Sequence, residues 1–180
     1  NDAVIISMMA GKNVKVIGEK LKVSKVIRVM PNTPSKIGKG VQLLYFPPGL
    51  DLSEQSFVEE LFSVSGELFI FQNEDQIDLV TPHCGSGPAF VFELARILIT
   101  DLEEKGISRV GAEKMIKYML YGASSLLLNS SDSPTELRNM VTSKGGVTAE
   151  ALNTLKQGNL EEVFKTAIRN AHKRAKDLSY

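Results

Sequence analysis

The stretch MVTSKGGVTAEAL, residues 140–152, places two adjacent glycines among three hydroxyl side chains, directly before a helical pattern. A helix begins with unpaired N–H groups and the positive end of its dipole, so its start suits a small anion. Gly145 and Gly146 let a ligand approach the backbone, and the hydroxyls of Ser143 and Thr148 add hydrogen-bond donors. The stretch therefore suits a carboxylate site. Taken alone, however, a glycine-rich turn between helices, closed by a threonine cap, is the commoner arrangement, and the further motifs shift the balance towards a ligand site.

The motif MPNTP, residues 30–34, follows a short apolar run that predicts a buried strand. Ligands of open α/β sheets bind outside the carboxyl ends of the strands. Asn32 and Thr33 bring hydrogen-bonding groups to this strand end, and two prolines stiffen the loop. Taken alone, the motif slightly favours a rigid turn, with a ligand-binding edge as the alternative.

In the segment HCGSGPAFVF, small residues directly precede an apolar helix. It is not a nucleophile elbow, because Cys84 occupies a position where that motif needs glycine. The adjacent His83 and Cys84 do not predict a metal site, since the only other histidine is His172 and zinc needs more ligands. Close packing between helices is the simpler explanation for Gly85 and Gly87.

Strands and helices alternate in the first part of the chain. Apolar runs predict strands at 3–8, 25–30, 41–46 and 66–71, and helical patterns lie between them. Asp51 with Glu54 predicts a capping box, and Asn73 with Gln76 predicts a similar cap before a further helix. The alternation predicts a parallel α/β layer.

The second part of the chain reads as helices alone. They are predicted at 86–105, 111–128, 134–140, 148–157 and 160–178. The first of them is apolar on nearly all sides, so we expect it to be buried on several sides. Ser133 with Glu136 predicts another capping box. The predicted fold class is therefore α/β followed by all-α, with domains at 1–82 and 83–180.

Composition excludes several classes of partner. The chain of 180 residues carries 21 basic and 21 acidic residues, so neither nucleic acid nor an anionic membrane is expected as the main partner. Its single cysteine excludes an internal disulfide framework and fits a reducing cytoplasm. The first residues, NDAVIIS, enter a strand pattern without a methionine, which favours a chain that begins inside a longer protein.

Together RVMPNTP, GSGPAFVF and NMVTSKGGVTAEAL, in this order and spacing, resemble the pyrroline-5-carboxylate reductase family. The resemblance implies an enzyme that reduces 1-pyrroline-5-carboxylate to L-proline with NADPH or NADH, the last step of proline biosynthesis. It also implies the second half of a Rossmann-type layer, followed by helices like the C-terminal ones of 6-phosphogluconate dehydrogenase. Those helices would form a homodimer, from which larger rings can be built.

The resemblance also assigns roles to particular residues. Thr148 is implied as the catalytic side chain, hydrogen-bonded to the ring nitrogen, and a carboxylate at Glu74 is expected near the bound proline. No metal is implied. Substrate binding is implied for Ser143, Gly146, Val147, Thr148 and Glu74. Cofactor binding is implied for Met9, Ala10, Met30, Pro31, Asn32 and Thr33.

The chain departs from the family pattern at several positions. The glycine-rich dinucleotide fingerprint expected before the first strand is absent from this sequence, so we do not expect this chain alone to bind the whole cofactor. Lys144 replaces the usual proline before the glycine pair. Pro82, His83 and Cys84 stand where small or apolar residues and a serine are more usual, and Met140 replaces an asparagine found in some members.

Two further functions stay open on the sequence. The apolar helix at 86–105 would also suit a non-catalytic dimerisation module, because a monomer could not easily cover it. A related hydroxy-acid dehydrogenase is the other alternative. Such enzymes generally place a proton-donating lysine on the long helix, but residues 86–104 contain no lysine.

Overall fold

The computed structural model describes residues 3–177. The chain divides into two compact units, Asn1–Ala89 with Thr166–Tyr180, and Phe90–Lys165. The C-terminal part of the last helix therefore belongs to the same unit as the strands. The predicted domain boundary between residues 82 and 83 stays a prediction.

The first unit is built on a four-stranded sheet with the spatial order β1-β2-β3-β4. All four strands lie where the sequence predicts them. Their bounds are β1 Val4–Ser7, β2 Lys25–Met30, β3 Gly40–Tyr45 and β4 Gly66–Phe71. Its helices are α1 Val14–Leu21, α2 Leu52–Ser63 and α3 Asp75–Cys84, with a 3₁₀ turn at Thr33–Ile37.

The sheet is mixed, so the prediction of a parallel layer is confirmed for two of its three strand pairs and wrong for the third. Strand β1 pairs with β2, and β3 with β4, in parallel, but β2 and β3 run antiparallel. A parallel crossover needs a dozen or more residues, usually including a helix. Only a short connection containing the 3₁₀ turn joins β2 to β3, so the chain reverses direction there.

Side chains that alternate along β2 and β3 form two apolar clusters on opposite faces of the sheet. On one face, Ile27, Val29 and Leu44 pack with Val58 of α2. On the other, Met30 and Leu43 pack with Ile77 of α3. Helix α3 is thereby held against the carboxyl end of β2.

The predicted caps fix the starts of several helices. The Asp51–Glu54 and Ser133–Glu136 capping boxes are both present in full. Before α3, the Asn73 N–H group donates to the Gln76 side chain at 3.3 Å, while the Asn73 side chain accepts from the N–H group of Asp75 at 2.9 Å. Local hydrogen bonds therefore mark these helix starts, although Glu74, the N-cap residue of α3, has no side-chain cap hydrogen bond.

The second unit consists of helices. They are α4 Gly87–Glu104, α5 Arg109–Asn129, α6 Pro134–Met140, α7 Val147–Gln157 and α8 Leu160–Asp177, of which α4 begins and α8 ends in the first unit. The predicted residue 178 of the last helix lies outside the described residues. Phe90 and Phe164 meet edge to face, with ring centroids 6.2 Å apart. No helix within residues 3–177 is long and apolar enough to cross a membrane.

Large apolar side chains of the second unit are exposed in the single chain. The prediction that the helix at 86–105 is buried on several sides is wrong for one chain, because no residue of α4 is buried. Phe92 is 60% exposed, and Leu126 and Leu128 of α5 are exposed as well. A pattern of apolar residues predicts that a helix is covered, but it does not show whether the same chain or another chain covers it. Ala112 is the only buried hydrophobic residue among residues 90–165, all of which the structure describes.

Candidate active site

The glycine pair lies in a tight turn between α6 and α7. Gly145 adopts a left-handed conformation, with φ of +69°, which favours glycine. The Gly146 N–H group donates to the Ser143 carbonyl at 3.0 Å and closes the turn. One of the amides that the family resemblance assigns to the substrate is therefore already hydrogen-bonded within the protein.

The start of α7 offers open donors. Gly146 is its N-cap residue, and no side chain accepts a hydrogen bond from this helix start. The first helical hydrogen bond runs from the Glu150 N–H group to the Gly146 carbonyl at 3.2 Å. No hydrogen bond within the described chain uses the amides of Val147, Thr148 and Ala149. The threonine-capped turn is therefore not the arrangement found.

Ser143 packs directly against Gly146. A Cβ atom built on Gly146 would lie under 3.0 Å from the Ser143 Oγ atom, a contact that real Cβ atoms essentially never make. Glycine at this position thus leaves room for the Ser143 hydroxyl beside the start of α7. Neither this hydroxyl nor that of Thr148 has a hydrogen-bond partner among residues 3–177. Two hydroxyls and a set of helix-start amides match the lone pairs of a carboxylate.

The surroundings of this corner favour a negative charge. Val147, the first residue of α7, is 90% exposed, so the helix start opens to solvent. Lys144 is exposed in the turn and forms no ion pair with the described part of the chain. The Thr142 hydroxyl is not available to a ligand, because it donates to the Arg138 carbonyl at 2.6 Å.

The cofactor residues implied by the resemblance lie in the first unit, at one edge of the sheet. Strands β1 and β2 are parallel and place Ser7 beside Arg28, so the segments that follow them leave the sheet at the same edge. Met9 is 55% exposed there, and Ala10 is exposed. On the neighbouring strand, Met30 is buried. Pro31 and Asn32 are half-buried, and Thr33, which begins the 3₁₀ turn, is exposed.

Asn32 holds this edge together. Its side-chain NH₂ group donates to the Cys84 carbonyl at 3.0 Å, and its side-chain oxygen accepts from the Val41 N–H group at 3.0 Å. The side chain therefore joins the end of β2 to the end of α3 and to β3. The two hydrogen bonds give Asn32 a structural reason to be present.

Glu74 takes part in a charged network of the first unit. Its Oε1 atom accepts from the Val14 N–H group at 2.9 Å and lies 3.3 Å from Nη1 of Arg28. The guanidinium of Arg28 also binds both carboxylate oxygens of Asp78, at 2.5 and 3.1 Å. Burial raises the pKa of Glu74, and the hydrogen bond from Val14 and the charge of Arg28 oppose this increase.

Sequence reasoning missed Arg28 and Asp78. The available signal was an arginine in the middle of the apolar strand KVIRVM, which needs buried carboxylate partners.

The glycines of the third motif also differ from expectation. A Cβ on Gly85 would meet the Thr81 carbonyl at 2.9 Å in its own preceding turn, and one on Gly87 would meet nothing within 4 Å. Within the described residues of the single chain, close packing between helices explains neither glycine.

The predicted site residues thus form two groups. Ser143, Gly146, Val147 and Thr148 lie within the six-residue segment 143–148 of the second unit. Glu74 and the sheet-edge residues belong to the first unit.

Comparisons with known proteins identify relatives of the chain. The family model described as pyrroline-5-carboxylate reductase dimerisation matches residues 74–178. A pyrroline-5-carboxylate reductase of Staphylococcus saprophyticus is 35% identical over 175 residues, which are 97% of this chain and 64% of that protein. The chain therefore spans less than two thirds of the length of that relative.

Solved structures agree in fold. A pyrroline-5-carboxylate reductase from Coxiella burnetii superposes with a TM-score of 0.89 at 32% identity, covering 98% of this chain and 66% of that one. A Plasmodium falciparum pyrroline carboxylate reductase, solved with NADP bound, has a TM-score of 0.91. At 24% identity, with 98% of this chain and 71% of that chain covered, it shows a likeness of fold alone. The predicted architecture, an α/β layer followed by helices, is confirmed.

Proposed function

The chain belongs to the pyrroline-5-carboxylate reductase family, and from that premise we propose that the full-length protein reduces 1-pyrroline-5-carboxylate to L-proline. The single observation that carries this proposal is the start of α7, where open amides and two unpartnered hydroxyls surround a bare turn. The product of the reaction is an amino acid whose carboxylate needs such a set of donors.

The corner between α6 and α7 binds the substrate carboxylate in this proposal. The Ser143 hydroxyl and the Val147 amide donate to its oxygens, and the helix dipole stabilises its negative charge. The amide of Gly146 closes the turn instead, so the main role of this glycine is to leave room for Ser143. Lys144 adds positive charge at the rim.

Thr148 is the proposed catalytic side chain. Its hydroxyl lies in the first turn of α7 and hydrogen-bonds to the ring nitrogen of the substrate. A protonated ring nitrogen makes the imine carbon electrophilic, so the site needs no strong acid or base. The work of the protein is then mainly to hold the reactants in place, which in favourable cases lowers a barrier by about 7–11 kcal/mol.

The sheet edge fits a nicotinamide cofactor. Met9, Ala10 and Pro31 offer apolar surface at the carboxyl ends of two parallel strands, the usual place for such ligands in α/β proteins, and Met30 packs beneath them in the core. When bound, the cofactor supplies the hydride. Asn32 fixes the edge, and Thr33 is exposed beside it. The cofactor proposed here is NADP or NAD, as the family resemblance implies.

Glu74 has only part of its carboxylate available to a ligand. Its Oε1 atom is already an acceptor for Val14 and Arg28, and no hydrogen bond within residues 3–177 uses Oε2. The family resemblance implies that Glu74 lies near the bound ring, and Oε2 is the oxygen atom with which Glu74 would contact it.

A homodimer formed through the helical unit completes the proposal. The family model that matches this region describes dimerisation, and the apolar side chains of α4 and α5 are exposed in the single chain. A larger ring built from such dimers and a cytoplasmic location also belong to this proposal. The hydroxy-acid dehydrogenase alternative is disfavoured, because α4 contains no lysine.

The experiment is NADPH-dependent reduction of 1-pyrroline-5-carboxylate by the full-length natural protein and by two Thr148 variants. Thr148→Val keeps the shape but removes the hydroxyl. We expect a fall in kcat of roughly tenfold or more, as for the loss of a hydrogen bond to a charged group. Thr148→Ser should retain most of the rate.

Thr154→Val is the matched control on the same helix, because the Thr154 hydroxyl donates to the Glu150 carbonyl at 3.1 Å. Its kcat should equal that of the wild type. A wild-type protein without imine reduction would reject the proposed function, and an unchanged kcat in Thr148→Val would reject the role of Thr148.

A further inference from the structure

An arginine lies fully buried in the middle of β2. Arg28 has no exposed surface, although Ile27 and Val29 beside it are apolar core residues. Taking a guanidinium out of water is costly unless its charge is paired and its N–H groups are hydrogen-bonded. Well-packed apolar residues often replace a buried ion pair without loss of stability. Stability alone therefore does not explain a buried arginine, and the contacts of Arg28 indicate a further role.

One carboxylate would be enough to pair Arg28. Asp78 binds the guanidinium in a two-pronged arrangement, with Nη2 to Oδ1 at 2.5 Å and Nη1 to Oδ2 at 3.1 Å. Glu74 is a second carboxylate, 3.3 Å from Nη1, and its ionised form gives the group of three a net negative charge. Because burial raises the pKa of Glu74, its ionised form needs a further favourable contact.

That contact is the start of α1. Glu74 Oε1 accepts from the N–H group of Val14, the first residue of the helix, at 2.9 Å. Another amide of the same first turn is capped locally, since the Asn13 side chain accepts from the Val16 N–H group at 2.9 Å. The carboxylate of Glu74, the N-cap residue of α3, thus binds the positive end of α1, where negative charge is favourable.

The loop at residues 8–13, which joins β1 to α1, is consequently held at both ends by groups that contact Arg28 or its partner. At the β1 end, Ser7 lies beside Arg28 in the sheet register, and its hydroxyl accepts from the Met9 N–H group at 3.3 Å. At the α1 end, Glu74 binds Val14. The loop carries Met9 and Ala10, two of the residues proposed to contact the cofactor.

We propose that Arg28 is a positioning residue for the cofactor edge, acting through Glu74 on the start of α1 and the loop at residues 8–13. This inference rests on the proposed function. Without the guanidinium, the Glu74 carboxylate turns towards water and the Val14 amide loses its acceptor. The loop then loosens, so NADPH binds more weakly while the rate at saturating NADPH changes little.

The decisive comparison is between two substitutions of Glu74 in the full-length protein. Glu74→Ala removes the acceptor for the Val14 amide, and we expect the KM for NADPH to rise about tenfold, as for the loss of one charged hydrogen bond. Glu74→Gln keeps a carbonyl oxygen at the same place. We expect its KM for NADPH to stay within about threefold of wild type, because the retained neutral bond is weaker than the charged one.

Arg28 is then tested directly. Arg28→Met should raise the KM for NADPH by a similar factor, and the double variant with Glu74→Ala should be no worse than either single variant, because both act on one amide. Lys25→Met is the matched control, since it removes another ion pair of β2, Lys25 to Glu54 at 2.5 Å. It should leave the KM for NADPH unchanged.

Three results would overturn the inference. Arg28→Met and Glu74→Ala could lower only the unfolding temperature, with the KM for NADPH unchanged, which would make the network purely structural. Their effects on KM could add in the double variant. Glu74→Gln could raise the KM for NADPH as strongly as Glu74→Ala, which would show that an acceptor for the Val14 amide is not what holds the loop. If Arg28→Met does not fold, the Glu74 pair still decides. A wild-type protein without imine reduction would instead reject the proposed function.

Discussion

Substitution of Gly146 by alanine tests the geometry of the carboxylate corner. The backbone of Gly146, with φ of −82° and ψ of 173°, is one that any residue adopts, so alanine brings no backbone strain. The new Cβ would meet the Ser143 Oγ atom under 3.0 Å, while the Ser143 carbonyl and Cβ are 3.2 and 3.5 Å away. The easiest response is rotation of the Ser143 side chain, which moves its hydroxyl out of the corner.

The size of the expected loss of activity follows from the hydrogen bond that the Ser143 hydroxyl donates to the substrate carboxylate. A hydrogen bond to a charged group contributes about 1.5–3 kcal/mol. Its loss should therefore lower kcat/KM for 1-pyrroline-5-carboxylate by roughly 10- to 150-fold, at saturating NADPH. Ser143→Ala should give the same loss. The double variant should lose no more than either single one, because both changes remove the same hydroxyl.

Gly145→Ala is the control for the turn itself. Its φ of +69° strains any side chain, but a Cβ there would meet nothing within 4 Å. The cost should be about 1–2 kcal/mol of stability. We expect no non-additive coupling to Ser143→Ala. Independent, additive losses for Gly146→Ala and Ser143→Ala, or full activity of either one, would refute the steric reasoning.

Three further predictions concern the two compact units. Because burial raises the pKa of Glu74 above 4.5, its ionisation should reduce folded stability as the pH rises from that value. Urea titrations should show Glu74→Gln gaining stability relative to wild type between pH 4 and 7, and a flat difference would contradict this. Asn32→Ala leaves the Cys84 carbonyl and the Val41 N–H group without their partner, so chemical denaturation should show a loss of about 1–3 kcal/mol. Leu126→Glu, on the exposed face of α5, should turn a dimer into a monomer by light scattering, and an unchanged mass would remove this face from the interface.

The fold was largely predictable because its signals are local. Short apolar runs predicted all four strands, and the capping boxes at Asp51 and Ser133 fixed two helix starts. Strand direction was not predictable from alternation alone, since it depends on the short connection at Thr33–Ile37. Burial of α4 was mispredicted for a related reason, because an apolar pattern does not identify the chain that covers it.

The candidate site was predictable in composition and less so in geometry. The glycine corner stood out because helix starts with bare turns and hydroxyls have a distinctive local sequence. The use of the Gly146 amide inside the turn depends on φ and ψ, which the sequence does not state. The bonds from Arg28 to Glu74 and Asp78 join residues about 50 positions apart, and only the packing of β2 against α3 brings them together.

The central claim, that the start of α7 binds the acid group of a five-membered imine, is tested most directly by comparing two substrates. The full-length protein should be assayed with 1-pyrroline-5-carboxylate and with 1-pyrroline, which has the same ring without the carboxylate. Two or more charged hydrogen bonds predict a kcat/KM at least about 100-fold higher for the carboxylated ring. Equal values of kcat/KM for the two rings would contradict the account.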